Sequence, residues 1–103
     1  MLFNPPECTI TSVSQTDASG YQPAAIVVTV QNRGNATAFN VECDVTLKSG
    51  STIVDEAVMF FGTLEAGESI SEEGLFWNIR SHADYSTATY HLFWYDSQGT
   101  YHE

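Results

Sequence analysis

Positive charge is nearly absent from this sequence. Its 103 residues hold one lysine, Lys48, and two arginines, Arg33 and Arg80, against 13 Asp and Glu, giving a formal net charge of −10 and a pI near 4.3. Nucleic-acid binders need a basic footprint, and three scattered cations cannot make one. The same shortage argues against docking on anionic membranes. Long apolar runs are also missing. The best stretches, 24–30 and 90–95, are strand-length, whereas a membrane helix needs about 20 residues. No membrane insertion is therefore expected. The start Met1-Leu2-Phe3-Asn4-Pro5-Pro6 has neither the basic residues nor the apolar core of a secretory leader, and residues 1–6 are expected to form a flexible N-terminal segment.

Cysteine is scarce. Cys8 and Cys43 stand 35 residues apart, with no CxxC pair and no Cys/His cluster, which excludes the familiar zinc and redox spacings. They form either one disulfide or two buried thiols. The GxSxG, HExxH, GxGxxG and GxxxxGK[ST] patterns are all absent. With no catalytic residues and no cofactor-binding or metal-ligating set in view, the chain is not expected to be an enzyme. Helical periodicity is missing too: its nearest approach, 72–77, is interrupted by Gly74.

What remains is strand chemistry. Apolar residues make up 43% and aromatics 13%, enough for the core of one domain spanning 1–103. Val, Ile and Thr number 8, 5 and 11, and all three favour strands. Alternation is clearest over 39–48. It puts Phe39, Val41, Cys43, Val45 and Leu47 on one face and Asn40, Glu42, Asp44, Thr46 and Lys48 on the other. Ile26, Val28 and Val30 make a second inward set, and Cys8 opens an earlier strand. Gly-, Asn- and Asp-rich breakers divide the runs, predicting strands near 7–14, 24–31, 38–48, 52–62, 69–79 and 88–95, with a stub at 100–103. Short strands at this spacing predict an all-β, immunoglobulin-like antiparallel sandwich of about seven strands in two sheets.

The segment Val27-Val28-Thr29-Val30-Gln31-Asn32-Arg33-Gly34-Asn35-Ala36-Thr37-Ala38-Phe39-Asn40-Val41 resembles the signature of CARDB domains, the cell-adhesion-related domains of bacteria and archaea. Gly62-Thr63-Leu64-Glu65-Ala66-Gly67-Glu68-Ser69, the pair Phe76-Trp77 and the acidic turn at 96–103 are similar to further elements of that family. FxLYD-type domains share nearly the same features. The resemblance covers about residues 8–103 and implies a non-catalytic structural, adhesion or interaction module of an exported or cell-surface protein. Its partners would be a protein, a glycan or neighbouring domains of the same chain. Asn32 and Gly34 are expected to shape a tight corner.

His82, Asp84, His91 and His102 match no zinc spacing. Asp55-Glu56 and Glu72-Glu73 are adjacent in strands, so each pair splits across two faces, and calcium is the one cofactor they leave open. Asp96 is expected to cap its own turn. Asn35-Ala36-Thr37 is an N-x-T sequon. Met59-Phe60-Phe61, apolar at both parities, suits a corner or an edge strand. The aromatics carry the most. If Tyr90, Leu92 and Trp94 face the core, then His91, Phe93 and Tyr95 face out, and with Phe76 or Trp77 they form an interaction patch. The alternative function is a carbohydrate-binding module stacking sugars on Trp77, Phe93 and Tyr95.

Overall fold

In a computed structural model that describes residues 5–103, the expected strands form. They are β1 (Cys8–Thr16), β2 (Ala24–Asn32), β3 (Ala38–Ser49), β4 (Thr52–Leu64), β5 (Ser69–Phe76), β6 (Thr87–Tyr95) and β7 (Tyr101–His102). A three-residue 3-10 turn at His82–Asp84 lies between β5 and β6. Two antiparallel sheets result, β1-β2-β5 and β4-β3-β6-β7. In constant-type immunoglobulin domains the fourth strand pairs with the sheet of the first, second and fifth. Here it has crossed to lie beside the third, so β4 is an edge, as Met59-Phe60-Phe61 suggested. No helix among the described residues is long and apolar enough to cross a membrane.

The core forms where the inward sets meet. Ile26, Val28 and Val30 of β2 face Val41, Cys43, Val45 and Leu47 of β3, with Met59, Phe61, Leu64, Phe76 and Trp94 closing the sides. Partner strands present the same parity: Cys43 sits between Met59 and Leu92, and Val45 between Ala57 and Tyr90. The β3 alternation breaks at its start. Asn40 has a φ of 50°, the one left-handed non-glycine among the described residues, and the pairing slips between Ala38 and Val41. The bulge adds a residue, so Ala38 and Val41 both point inward while Phe39 turns to the outer side. The expectation that Phe39 shares the core face is corrected by this slip.

Asn32, fully buried, ties one end of the sandwich together. Its Oδ1 accepts from the backbone N–H of Glu7 (3.1 Å) and Gly34 (3.0 Å). Its Nδ2 donates to the carbonyls of Ala36 (2.8 Å) and Leu64 (3.0 Å). Its main chain bonds Glu68 and Gly67 in the β4–β5 turn. Every polar atom of the side chain is thereby matched, which is what permits an amide in a core. The expected corner role was incomplete: Asn32 is a strand residue acting through its side chain. Gly34 does not take a positive φ; a Cβ there would strike the carbonyl of Pro5 and crowd Pro6 and Glu7. Pro5 and Pro6 are accordingly part of the fold. Pro6 is buried and its carbonyl accepts the Trp94 indole N–H at 3.2 Å. That corrects the flexible reading of 1–6 for these two residues; the other four lie outside the described residues.

Cys8 and Cys43 are both buried and both free thiols, so the disulfide alternative gives way to two core thiols. Burial pushes each up to about 11, with Asp44 and Glu42 adding to the rise at Cys43. The last strand is short. β7 pairs only with Trp94 and Tyr95, so no described strand runs along the outer edge of β6 from Thr87 to Phe93.

Two outcomes are expected from this architecture. Asn32→Ala strands two buried N–H groups and two carbonyls, and should lower the unfolding free energy by about 3 kcal/mol or more in urea titrations, whereas exposed Asn35→Ala should cost under roughly 0.5 kcal/mol. A thiol reagent should find both cysteines in denaturant and neither in the native protein, because a buried thiol held near 11 presents almost no thiolate.

Candidate functional site

The two sheets show opposite outer faces. On β1-β2-β5 the central cross-strand row is small and polar: Ser12, Thr29 and Ser71 align, the Thr29 and Ser71 hydroxyls bond at 2.7 Å, and the rows beyond run Ser14–Val27–Glu73 and Thr16–Ala25–Leu75. On β4-β3-β6-β7 the rows are aromatic and acidic. Glu42 lies directly between Phe60 and Phe93, and Asp44 between Val58 and His91. Tyr95 pairs with Phe39 on one side and Tyr101 on the other. Directly opposed side chains stand about 5 Å apart, so each carboxylate is walled on both sides.

The rings form a connected set. His91 and Phe93 centroids are 5.1 Å apart, Phe93 and Tyr101 5.6 Å at 29°, and Tyr95 meets Tyr101 edge-on at 5.7 Å. A polar clasp fixes their rim. Glu103 Oε2 accepts from the Tyr101 hydroxyl at 2.8 Å and lies 2.6 Å from His91 Nε2. Those two bonds, His91 first, hold Glu103 below the usual carboxylate range, and Tyr101 is pushed up to about 12, by burial ahead of Glu103. Phe60 remains 68% exposed at the centre of β4. Two open hollows of about 380 Å³ each flank the Asn40 bulge. One is lined by Phe39, Tyr95 and Asp96, the other by Glu42, Phe60 and Gly62.

Electrostatically the face is unbalanced. Burial between the rings, then Asp44 beside it, raises Glu42 from the usual 4.5 to about 7, with His91 pulling weakly the other way. Asp44 Oδ1 is shielded from solvent and accepts no hydrogen bond among the described residues. Arg33 and Arg80 bond Gln31 and the Gly20 carbonyl elsewhere, and Lys48 is four residues further along β3, roughly 13 Å from Asp44 at strand rise.

Of the residues offered as a patch from sequence, His91 and Phe93 adjoin, and Phe93 and Tyr95 each meet Tyr101. Phe76 does not join them: it is fully buried, because Phe76 closes the β2–β5 ladder opposite Ala24 with its side chain inward. Trp77, 69% exposed, follows β5 in the other sheet and makes no ring pair with Phe93 or Tyr95 among the described residues. The sequence reading missed Phe60, Glu42, Asp44, Tyr101 and Glu103. The outward parity of Glu42 and Asp44 was visible in the alternation; their aromatic walls needed the strand order.

The remaining candidates serve turns. Asp84 caps the 3-10 turn through the N–H groups of Arg80 and Ser81, which lower its pKa. His82 leans on Asp17 at 3.4 Å. Asp96 Oδ1 accepts from Gln98 and Thr100, and its Oδ2 meets His102 at 2.9 Å. Asp55 bonds the N–H groups of Glu56 and Asn78. Among the described residues no three His, Cys, Asp or Glu side chains converge as a metal site.

Fold and face together define an antiparallel β-sandwich with one polar and one aromatic–acidic sheet surface. Compared with protein-family models, with curated proteins and with solved structures, the chain matches none of them.

The Glu42 shift has a sign that can be checked. The folded state holds a proton there that the unfolded chain releases near 4.5, so this group's contribution to stability falls as pH rises from 4.5 through about 7. Carbon-detected NMR should place its midpoint near 7, and Glu42→Gln should flatten the decline of the melting temperature across that window.

Proposed function

We propose that this chain is a non-catalytic interaction module of an exported or cell-surface protein, working through the outer face of β4-β3-β6-β7. The observation that carries this reading is the contrast between the two sheets. The β1-β2-β5 surface centres on small polar residues, with Val13, Leu75 and Trp77 exposed singly and no ring pair among the described residues. The other carries the ring pairs His91–Phe93, Phe93–Tyr101 and Tyr95–Tyr101, with Tyr101 exposed and Phe60 exposed across Glu42 from Phe93, at a cost in apolar area that an idle surface has no reason to carry. The ladders beneath run in unbroken register from Glu42 to Leu47 and hold the outward rows there, so few side chains need ordering on binding. Resemblance to CARDB domains and the acidic, lysine-poor composition support the surface or exported setting.

One specific observation favours a second reading, a glycan-stacking surface. Phe93 and Tyr101 stack on one another at 5.6 Å and 29°, and the outer face of half-exposed Tyr101 is a surface on which a sugar ring packs. Trp77 takes no part in it.

The test is a ligand panel followed by amide NMR of the labelled domain, using basic peptides, neutral oligosaccharides and the domain itself at high concentration. A saturable response centred on 42–44, 58–60 and 91–95 is expected from at least one class. Phe60→Ala should weaken it about tenfold, the loss typical of an exposed anchor ring, without moving the melting temperature. Tryptophan emission would be a poor reporter, since Trp94 is buried and Trp77 lies off the face. Responses confined to the β1-β2-β5 surface, or to no surface for the whole panel, would overturn the reading.

A further inference from the structure

The interaction face holds two carboxylates that nothing in the described chain neutralises. Glu42 and Asp44 alternate on one strand, about 7 Å apart along it, Glu42 between Phe60 and Phe93 and Asp44 between Val58 and His91. Each of the three cationic side chains is engaged or distant, and His91 is already clasped by Glu103 and Tyr101. Asp44 Oδ1 has lost water and gained no donor, a state that costs free energy until a donor arrives. On the far side of Glu42 from Asp44 a hollow of about 380 Å³ is lined by Glu42, Phe60 and Gly62.

Resting on the reading of this face as an interaction surface, we propose that its occupant is an arginine side chain of a basic protein partner, seated on Glu42 and Asp44 between Phe60 and Phe93. The chemistry selects the guanidinium. Its planar fork donates two parallel hydrogen bonds to a carboxylate, and its flat face stacks on an aromatic ring. An ammonium is a point charge with a tighter hydration shell and gains less from a ring wall. A second copy of this chain is disfavoured, because two bodies each carrying −10 repel on approach. A neutral sugar would leave the Asp44 oxygen beside an uncompensated Glu42.

The same arrangement makes binding release a proton. A guanidinium favours ionised Glu42, whose pKa burial and then the neighbouring Asp44 raise to about 7, so affinity rises with pH. The charged and titratable groups facing Glu42 are Asp44 on its own strand, His91 on β6, and Tyr101 and Glu103 beside His91; β4 contributes only Val58 and Phe60.

The test uses three labelled peptides of equal length, alternating glycine with arginine, lysine or citrulline, read by fluorescence anisotropy at pH 6 and pH 8. Saturable binding of the arginine peptide is expected, at least tenfold tighter than citrulline and several-fold tighter than lysine, and tighter at pH 8. The pair Glu42→Gln with Asp44→Asn should weaken it tenfold or more. Glu73→Gln, on the polar sheet, should change it less than twofold. Both variants are checked for cooperative melting, the Glu42→Gln with Asp44→Asn pair being expected to melt above the wild type at pH 8 because the buried charge is gone, and amide NMR of the wild type with bound peptide locates the contact independently of them. Equal binding of arginine and lysine peptides, or equal loss from Glu73→Gln, means diffuse charge attraction and overturns the proposal. Calcium or a neutral oligosaccharide saturating 42–44 and 58–60 while the arginine peptide does not would overturn the arginine partner and leave the interaction face standing. Silence of the face toward every ligand would remove both.

Discussion

The buried amide of Asn32 sets the geometry of one end of the sandwich. It joins four pieces of chain: the approach to β1 at Glu7, the corner at Gly34 and Ala36, the end of β4 at Leu64 and, through its main chain, the β4–β5 turn. No other side chain supplies two acceptor lone pairs and two donors at this length in one plane. Aspartate offers no donor, and leucine of similar volume leaves four backbone groups dry. The apolar core that fills the space between the sheets is tolerant of exchanges among Val, Ile and Leu. The hydrogen-bonded end is not, because its partners are backbone atoms whose positions no repacking can change. Pro6 and Trp94 continue the same tie into the second sheet.

The aromatic face depends on that end indirectly. With β4 carried across to pair with β3, the outer surface gains a fourth column of side chains, and Phe60 and Val58 come to stand beside Glu42 and Asp44. The Asn40 bulge then turns Phe39 outward next to Tyr95 and opens the hollows at that corner. A left-handed residue, an irregular ladder and a carboxylate poised near neutrality lie within three positions of one another. Local irregularity of this kind gathers where a surface is shaped for contact.

Much of the architecture was legible in the residue order. Period-two alternation in Val41–Leu47 and Ile26–Val30 located both central strands, and breakers such as Ser49-Gly50-Ser51 bounded them within about two residues. Alternation fails where the ladder slips, which is why Phe39 was placed inward, and a pair such as Phe76-Trp77 gives no parity of its own, which is why Phe76 was offered as exposed. The outward side of Glu42, Asp44, His91, Phe93 and Tyr95 was readable; their meeting was not, since it follows from which strands pair across the sheet. Asn32 looked like a turn residue because the sequence shows its company of Gly34 and Asn35 but not the four backbone groups that converge on it from distant segments.

The edge position of β4 has a consequence for how copies of this molecule behave in bulk. No described strand pairs along its outer side; such an edge is a template on which another extended strand can add, and repulsion between strongly acidic bodies keeps neighbours away from it. That protection is electrostatic and therefore conditional on the medium. In dilute buffer the repulsion reaches tens of ångströms; near molar salt it shrinks to about 3 Å, less than the spacing of two paired strands. The molecule is thus colloidally stable in dilute solution and grows cohesive in brine, its edge passing from a guarded boundary to a seam.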